Sequence, residues 1–244
     1  MQKQIYPSIL KNKSKQKKHF AVLIDPDKFE SNEVLKLAEA AKADFIMVGG
    51  SILTNGNFEK CVERIKKHTK IPVIIFPGNN LQISKEADGI LLLSLISGRN
   101  PELLIGKHVI AAPQLRSSGL EILPTGYMLI ESGKQTAALY MSNTAPIPGD
   151  KDDIAMCTAM AGEMLGLKLI YMDAGSGAIS CVSEKMIEKV SKNIGIPLIV
   201  GGGINTPEKA LRACKAGADI IVVGNAIEKN KSLLKKIAAA VHAF

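Results

Sequence analysis

The chain has 244 residues, of which 46% are hydrophobic and 22% are charged, and its net charge is +8. This length suits one α/β barrel of ordinary size, although length alone would also allow two small domains. The longest apolar runs, such as residues 89–96, are too short to span a bilayer, and the N-terminal segment lacks the apolar stretch of a secretory signal. These features predict a cytoplasmic protein.

Much of the positive charge lies in the N-terminal segment, where five lysines occur between residues 11 and 18. We interpret residues 1–19 as a basic, solvated leader before the first strand; the alternative is attraction to anionic substrates or an anionic membrane surface. Nucleic-acid binding is not supported, because no aromatic residues interleave with these lysines. The four cysteines are far apart in the sequence, which predicts free thiols and no zinc site: Cys61, Cys157, Cys181 and Cys214.

Eight short apolar runs alternate with amphipathic stretches from residue 20 to the end. The runs lie at 21–25, 45–49, 73–78, 89–94, 126–131, 169–175, 198–203 and 220–225. They are continuously apolar, as is typical of parallel strands covered on both faces. Helical patterns follow most of them, at 32–43, 58–68, 154–165, 207–216 and 227–241. Eight β–α alternations predict a (β/α)₈ TIM barrel, and without a linker we expect residues 1–244 to form one domain.

Two connections depart from the regular pattern. Residues 79–87 are too few for a full crossover helix, so we expect a short non-helical segment to replace the third helix. Residues 132–153 include several Ser, Asn, Pro and Gly residues, which predicts an irregular loop. Because barrel enzymes place their sites on such loops, residues 132–153 are a candidate active-site loop.

The strongest functional signal is a pair of glycine-rich motifs, VGGGIN at 200–205 and VVGNAI at 222–227, after strands seven and eight. Glycines let the backbone approach an anion closely, and a helix after each loop would direct its N–H groups toward it. Barrel phosphate sites occupy this position. We therefore predict phosphate binding by Gly202, Gly203, Gly224 and Asn225; the alternative is that these glycines only form tight turns.

A third motif, YMDAGSGA at 171–178, follows strand six. Gly175, Ser176 and Gly177 could add amides and a hydroxyl group around a polar ligand. Asp173 ends the strand and is a candidate base that accepts a proton from a substrate hydroxyl. The alternative is that its carboxylate caps the amides of its own loop.

Carboxylate and hydroxyl oxygens also follow strands one and two. Asp25 ends the first strand and Ser51 follows the second, a candidate partial Mg²⁺ shell that water and substrate phosphate oxygens would complete. Asp27 and Lys28 are interpreted as surface residues of this loop. The four histidines form no triad-like arrangement and are interpreted as structural: His19, His68, His108 and His242.

Six motifs, IDPDK, VGGS, SGRNPE, YMDAGSGA, VGGGIN and VVGNAI, resemble the geranylgeranylglyceryl phosphate synthase family in order and spacing. The resemblance covers essentially the whole chain. It implies a modified TIM barrel that joins sn-glycerol 1-phosphate to an all-trans prenyl diphosphate, forming an ether bond and releasing diphosphate with Mg²⁺. It also implies geranylgeranyl diphosphate as the substrate, a role in ether phospholipid biosynthesis, peripheral membrane contact through the lipid product, and a homo-oligomer.

The resemblance also implies roles for individual residues. Asp25 and Ser51 would hold magnesium. Asp173 replaces the glutamate of a family motif that usually reads YLEAGSGA, so its shorter carboxylate would act as the base directly or through a water. Glycerol phosphate would lie on Tyr171, Met172, Asp173, Ala174, Gly175, Ser176, Gly177, Gly202, Gly203, Gly224 and Asn225.

The prenyl tail requires an apolar groove, which we expect on strands three and four at Ile74, Phe76, Leu92 and Ser94. One alternative is a heptaprenylglyceryl phosphate synthase. A phosphosugar isomerase or lyase would need an interior lysine that no strand here carries, and a flavin oxidoreductase would need more stacking aromatic residues. A non-catalytic sensor of a phosphate ligand would need neither Asp25 nor Asp173.

Overall fold

The computed structural model describes residues 4–55 and 57–244. Eight parallel strands close into a barrel in sequence order, which confirms the predicted (β/α)₈ fold. The strands are β1 (His19–Ile24), β2 (Phe45–Val48), β3 (Val73–Ile75), β4 (Gly89–Leu95), β5 (Glu121–Leu129), β6 (Leu169–Asp173), β7 (Leu198–Gly201) and β8 (Ile220–Val223).

Helices cover the outside of this barrel and close its base. They are α1 (Ile5–Ser14), α2 (Glu33–Ala40), α3 (Phe58–His68), α4 (Lys107–Ser118), α5 (Ala137–Ser142), α6 (Asp152–Met164), α7 (Glu184–Ser191), α8 (Pro207–Lys215), α9 (Asn225–Lys229) and α10 (Leu233–His242). A π-helical turn, Glu102–Gly106, precedes α4. Within the described residues, none of these helices has both the length and the apolar character required of a membrane span.

The last predicted helix, residues 227–241, is in fact two helices, α9 and α10. The Asn230 carboxamide oxygen accepts hydrogen bonds from the backbone N–H and the hydroxyl of Ser232, at 3.1 and 2.7 Å. Such local bonds compete with the helical pattern, so the chain turns between the two helices. The short helix α9 therefore stands at the rim of the barrel, directly after β8.

The segment between β3 and β4 contains no helix, as predicted for residues 79–87. Gln82 anchors this segment, although it is a polar side chain that is buried. Its amide oxygen accepts from the N–H groups of Gly78 (3.1 Å) and Gly50 (3.4 Å), and its amide nitrogen donates to the Gly50 carbonyl (2.8 Å). The segment is thereby fixed to the loop after β2.

Side chains alternate between the two faces of each strand and fill two cores. The outer core, between strands and helices, includes Val22, Ile46, Val200 and Ile221. The inner core, inside the barrel, includes Met47, Ile74, Leu123 and Tyr171.

The interpretation of residues 1–19 as a solvated leader is wrong for residues 4–19, and residues 1–3 lie outside the described residues. Residues 5–14 form α1, and its side chains Ile5 and Ile9, one turn apart, are buried in the inner core. The carboxylate of Glu121, at the start of β5, accepts from the backbone N–H of Tyr6 at 2.8 Å. Two apolar side chains on one helical face thus close the base of the barrel. Lys11, Lys15 and Lys17 are exposed, whereas Lys13 and Lys18 pair with Asp219 at 2.7 and 3.5 Å. His19, placed in the leader, begins β1.

Candidate active site

The loops at the C-terminal ends of the strands surround a cavity of about 620 Å³. The predicted site residues that line it are Asp25, Ser51, Tyr171, Asp173, Gly175, Ser176, Gly177, Gly202, Gly203, Gly224 and Asn225. Met172 and Ala174 do not line it, because strand alternation turns their side chains into the outer core. Their assignment as substrate-binding residues stays a prediction, and any such contact would have to come from their backbone atoms.

Asp173 ends β6 and points into the barrel, where it is buried. Its Oδ2 accepts from the Tyr127 hydroxyl at 2.6 Å, and its Oδ1 accepts from the Gly175 N–H at 2.7 Å. Burial raises the pKa of this carboxyl group, and the two hydrogen bonds oppose the rise. The carboxylate therefore both caps its own loop, as the alternative interpretation held, and faces the cavity as a base would.

Three aromatic rings form one wall beside Asp173. The rings of Phe76 and Tyr171 stack at 5.1 Å between centroids, and Tyr127 meets both edge-on at 5.7 and 5.5 Å. Such edge-on and stacked pairs are favourable geometries that also hold the rings in place. Burial raises the pKa of Tyr127 and Tyr171 well above the usual value, so both hydroxyls remain protonated donors near the carboxylate.

The loops after β6 and β7 pack backbone to backbone. Gly202 has a φ of +80°, and a Cβ atom there would lie 2.5 Å from the Gly175 nitrogen and 2.8 Å from Asp173 Oδ1. Only glycine permits both the left-handed backbone and this approach. The Asn225 side-chain amide is oriented so that its oxygen and its nitrogen both make hydrogen bonds. In this orientation its oxygen accepts from the Ser176 hydroxyl and the Gly177 N–H at 3.0 Å each. Three loops thus meet around one small polar space.

Of the two helices predicted to face this space, α9 begins at Asn225 in the cavity wall, whereas α8 contributes less than the sequence predicted. Helix α8 begins at Pro207, and its N-cap is the Thr206 side chain, which accepts from Lys209 N–H at 3.3 Å. The cavity lining extends along this loop only to Asn205. The N–H groups available to an anion after β7 therefore belong to the loop and not to the helix.

Asp25 and Ser51 stand on adjacent loops and line the same cavity. The Asp25 carboxylate accepts from the Asp27 N–H at 3.1 Å and pairs with the Lys28 ammonium group at 3.1 Å. Lys28 also pairs with Glu228 at 3.2 Å. Partial burial opposes the charged form of Lys28, but its bonds to the two carboxylates outweigh this effect and raise its pKa.

A carboxylate and a hydroxyl offer the hard oxygen ligands that Mg²⁺ prefers. Among the described residues, no cluster of three His, Cys, Asp or Glu side chains could hold a metal ion. The protein would therefore supply only a few of the ligands of a metal ion at Asp25 and Ser51. This fits Mg²⁺, which usually keeps several waters and binds substrate phosphate oxygens.

The far end of the cavity is apolar and runs between β4 and α4. Phe76 and Leu92 line the cavity, as predicted. Ile74 and Ser94 do not: Ile74 lies in the inner core, and the Ser94 hydroxyl is 3.2 Å from Nε2 of His108. The remaining apolar lining includes Ile83, Ala111 and Leu115.

The histidines have different surroundings. His108 lines the apolar end of the cavity, where burial lowers its pKa. His68 bonds the Arg64 carbonyl of its own helix at 2.8 Å. His19 and His242 both face the Asp44 carboxylate, at 3.4 and 2.9 Å, at the base of the barrel.

The SGRNPE motif and the 132–153 loop meet beside the cavity. The Asn100 amide donates to the Ser142 carbonyl at 3.0 Å, which ties the two loops together. The 132–153 loop contains the short helix α5, and Ala137, Ala138 and Met141 from it line the cavity. The candidate active-site loop therefore does border the site.

A model of the PcrB family matches residues 12–242. The chain belongs to the PcrB family. The geranylgeranylglyceryl phosphate synthase of Chitinophaga pinensis is 56% identical and covers 100% of this chain and 98% of its own. The protein of that name from Korarchaeum cryptofilum is 41% identical over 89% of this chain and 90% of its own.

Solved structures agree with the family assignment. (S)-3-O-geranylgeranylglyceryl phosphate synthase from Thermoplasma acidophilum, in complex with its substrate sn-glycerol-1-phosphate, matches with a TM-score of 0.92 and 33% identity, over 99% of this chain and 100% of that one. Thiamine phosphate pyrophosphorylase from Pyrococcus furiosus matches with a TM-score of 0.57 at 14% identity. The second likeness concerns the barrel fold alone.

Three features of this PcrB-family site were missed in the sequence. Tyr127 lies in the predicted fifth strand, but no motif marks it as the partner of Asp173. The hydrogen bonds from Gln82 to Gly50, next to Ser51, were also missed. The local sequence indicates them only by one polar residue between Leu81 and Ile83. Helix α4, which lines the apolar end of the cavity and carries His108, was missed as well. Its apolar residues do not follow the helical periodicity that would have indicated a buried face.

Proposed function

We propose that this PcrB-family protein is a prenyltransferase that joins sn-glycerol 1-phosphate to an all-trans prenyl diphosphate, in ether phospholipid biosynthesis. The observation that carries the proposal is the continuity of one cavity from a polar end at Asp173 to an apolar end between β4 and α4. A phosphosugar isomerase or a sensor of a phosphate ligand would need only the polar end. The relatives named geranylgeranylglyceryl phosphate synthase support geranylgeranyl diphosphate as the donor.

Glycerol phosphate would bind at the polar end. Its phosphate would contact backbone amides of Ser176, Gly202, Gly203, Gly224 and Asn225. The N–H groups of Gly175 and Gly177, which bond Asp173 and Asn225, would instead fix the loop beside it. Left-handed glycines such as Gly175 and Gly203 turn the backbone so that amides can face an anion, and they leave room for it. The bound phosphate would hold the glycerol 3-hydroxyl in reach of Asp173.

In the reaction, the 3-hydroxyl oxygen attacks C1 of the prenyl diphosphate. The new C–O ether bond forms, the bond from C1 to the diphosphate oxygen breaks, and the hydroxyl proton passes to Asp173, directly or through a water. A raised pKa brings this carboxylate closer to the operating pH and makes it a stronger base than an exposed aspartate. Tyr127 holds the carboxylate in position.

We propose that Mg²⁺ assists this enzyme and that Asp25 and Ser51 hold it. Their oxygen atoms and their place on the cavity wall support the assignment. When bound, the metal would neutralise charge on the departing diphosphate. Lys28, which pairs with Asp25, would keep that carboxylate oriented toward the cavity.

We extend the proposal to two kinds of partner. Peripheral contact with a membrane would deliver the lipid product, and apolar side chains exposed on the rim loops support it: Ile52, Leu81, Tyr140, Met141 and Ile179. A homo-oligomer would cover Val109 and Ile110, which are exposed on α4. Vesicle flotation and light scattering of the full chain test the two separately.

The experiment that tests the function is turnover of labelled sn-glycerol 1-phosphate with a series of prenyl diphosphates, with Mg²⁺ and with a chelator. We expect an ether product with geranylgeranyl diphosphate, and loss of turnover in chelator. Preference for heptaprenyl diphosphate would indicate the longer-chain synthase. Absence of product with every donor, while the protein still binds glycerol phosphate, would favour a phosphate-ligand sensor.

A further inference from the structure

The loop after β5 is fixed against the loop that carries Gly175 to Gly177. The Ser132 carbonyl accepts from the Ser180 N–H at 3.2 Å. A Cβ atom on Gly175 would lie only 2.7 Å from the Thr136 side chain, so the two loops are in direct contact. Residues 133–135 are therefore held against the loop that carries Gly177, where they line a second pocket that shares Leu129 with the cavity.

Lys134 is a charged residue of this loop that lies close to Gly177. Its ammonium nitrogen is 4.0 Å from the point that a Cβ atom on Gly177 would occupy. Within residues 4–55 and 57–244, this ammonium group makes no hydrogen bond and no ion pair. The Lys134 ammonium group therefore has no carboxylate partner in this part of the chain, and it lies beside Gly177 in the cavity wall.

Two other lysines near the polar end, Lys28 and Lys209, already have partners, whereas Lys229 lines the cavity on α9. Lys28 pairs with Asp25 and Glu228. Lys209 donates to the Gly203 carbonyl at 3.3 Å and to the Asn205 amide oxygen at 2.9 Å. The donors on residues 175–177 and Asn225 are neutral, and the Gly175 amide, the Gly177 amide and the Ser176 hydroxyl already bond Asp173 or Asn225. A phosphate monoester, by contrast, carries between one and two negative charges near neutral pH.

We propose that Lys134 is a further phosphate-binding residue, whose ammonium group closes over the phosphate of glycerol 1-phosphate. This inference rests on the proposed function. A lysine side chain is a flexible four-carbon chain. Its ammonium group, 4.0 Å from the position of a Cβ atom on Gly177, can therefore reach a ligand bound beside that residue. Hydrogen bonds from a charged donor to phosphate are roughly twice as strong as those from neutral donors. Lys134 would thus favour binding of the phosphate ester over free glycerol. Its ammonium group would act at the phosphate and not at the reacting hydroxyl.

The test is equilibrium binding of sn-glycerol 1-phosphate, and of inorganic phosphate as a simpler probe, to the full chain by titration calorimetry. Lys134→Gln should weaken binding by about 10- to 100-fold, the ratio expected for one hydrogen bond to a charged group. Lys134→Arg should recover most of the affinity. The turnover number of Lys134→Gln at saturating glycerol phosphate should stay within about threefold of wild type, because the residue does not touch the reacting atoms.

Lys151→Gln is the matched control, because it removes the same charge from an exposed lysine that pairs with Asp150. Equal losses in the two variants would trace the effect to net charge and overturn the inference. So would unchanged binding in Lys134→Gln while the wild type binds glycerol phosphate. If the wild type binds neither probe, the proposed function fails as well, so the two failures can be told apart.

Discussion

At the scale of single residues, Asp173 is held by a donor on each carboxylate oxygen and faces the cavity. If it is the base, Asp173→Asn should lower kcat by roughly 10²- to 10⁴-fold, the usual contribution of general base catalysis. The affinity for glycerol phosphate should change far less, since the loop amides remain. Steady-state kinetics and calorimetry on the same preparation check both statements.

The companion variant is Asp173→Glu, which lengthens the carboxylate by one methylene. It should retain more activity than Asp173→Asn, because it keeps a base at the same place. If Asp173→Asn turns over at the wild-type rate across the pH range, Asp173 only caps its loop. Glu131, which accepts from the Gly149 N–H at 3.4 Å, would then be the next carboxylate to change.

Tyr127 should tune the carboxylate through their 2.6 Å hydrogen bond. This bond stabilises the ionised form of Asp173 and so lowers its pKa against the effect of burial. Tyr127→Phe removes the bond, and the pKa of Asp173 should rise. Because the base must be ionised, the acid limb of the pH profile of kcat/KM should move to higher pH. An unmoved acid limb would contradict this role for Tyr127.

At the scale of elements, the segment between β3 and β4 acts through Gln82, which bonds Gly50 next to Ser51. Gln82→Ala should leave buried amide groups unpaired and loosen the loop that carries Ser51. We expect the Mg²⁺ concentration for half-maximal activity to rise several-fold. Gln114→Ala, on the exposed face of α4, is the control. Equal Mg²⁺ dependence in both variants would argue against the anchor.

The contact between the loops after β6 and β7 depends on Gly202. Gly202→Ala adds a methyl group that meets backbone atoms at 2.5 Å, so it should lower Tm and weaken binding of glycerol phosphate together. Gly166→Ala is the matched control, because Gly166 also has a positive φ (+88°) but nothing lies within 4 Å of a Cβ there. The Tm loss should be clearly larger for Gly202→Ala, as differential scanning calorimetry can measure.

At the scale of the whole molecule, α1 closes the barrel at the end opposite to the site. Ile9 is 1% exposed in the inner core, so Ile9→Ala should lower the free energy of unfolding by about 2–5 kcal/mol. Its neighbour Leu10 is 39% exposed, and Leu10→Ala should have a much smaller effect. Urea unfolding of both variants checks the difference. Similar losses would mean that α1 does not close the barrel.

Much of this architecture could be predicted from local pattern alone. Eight continuous apolar runs separated by helical stretches predicted the closed parallel barrel, and the short 79–87 segment predicted the missing helix. The carboxyl ends of parallel strands converge on one rim, so the sequence alone predicts that Asp25, Asp173 and Gly202 lie around the same site. The motif order was sufficient to indicate the family.

Only the tertiary structure decided which side chains face the cavity and which partners they meet. Met172 and Tyr171 are neighbours in one motif, yet strand alternation sends one outward and the other into the barrel. The bond from Tyr127 to Asp173 joins residues 46 positions apart. Such contacts depend on strand register and barrel closure, which bring distant segments together, whereas a sequence pattern reports only the spacing of near neighbours along the chain. For the same reason, the lysines of the N-terminal segment indicate a solvated leader, whereas the tertiary structure buries Ile5 and Ile9 inside the base of the barrel.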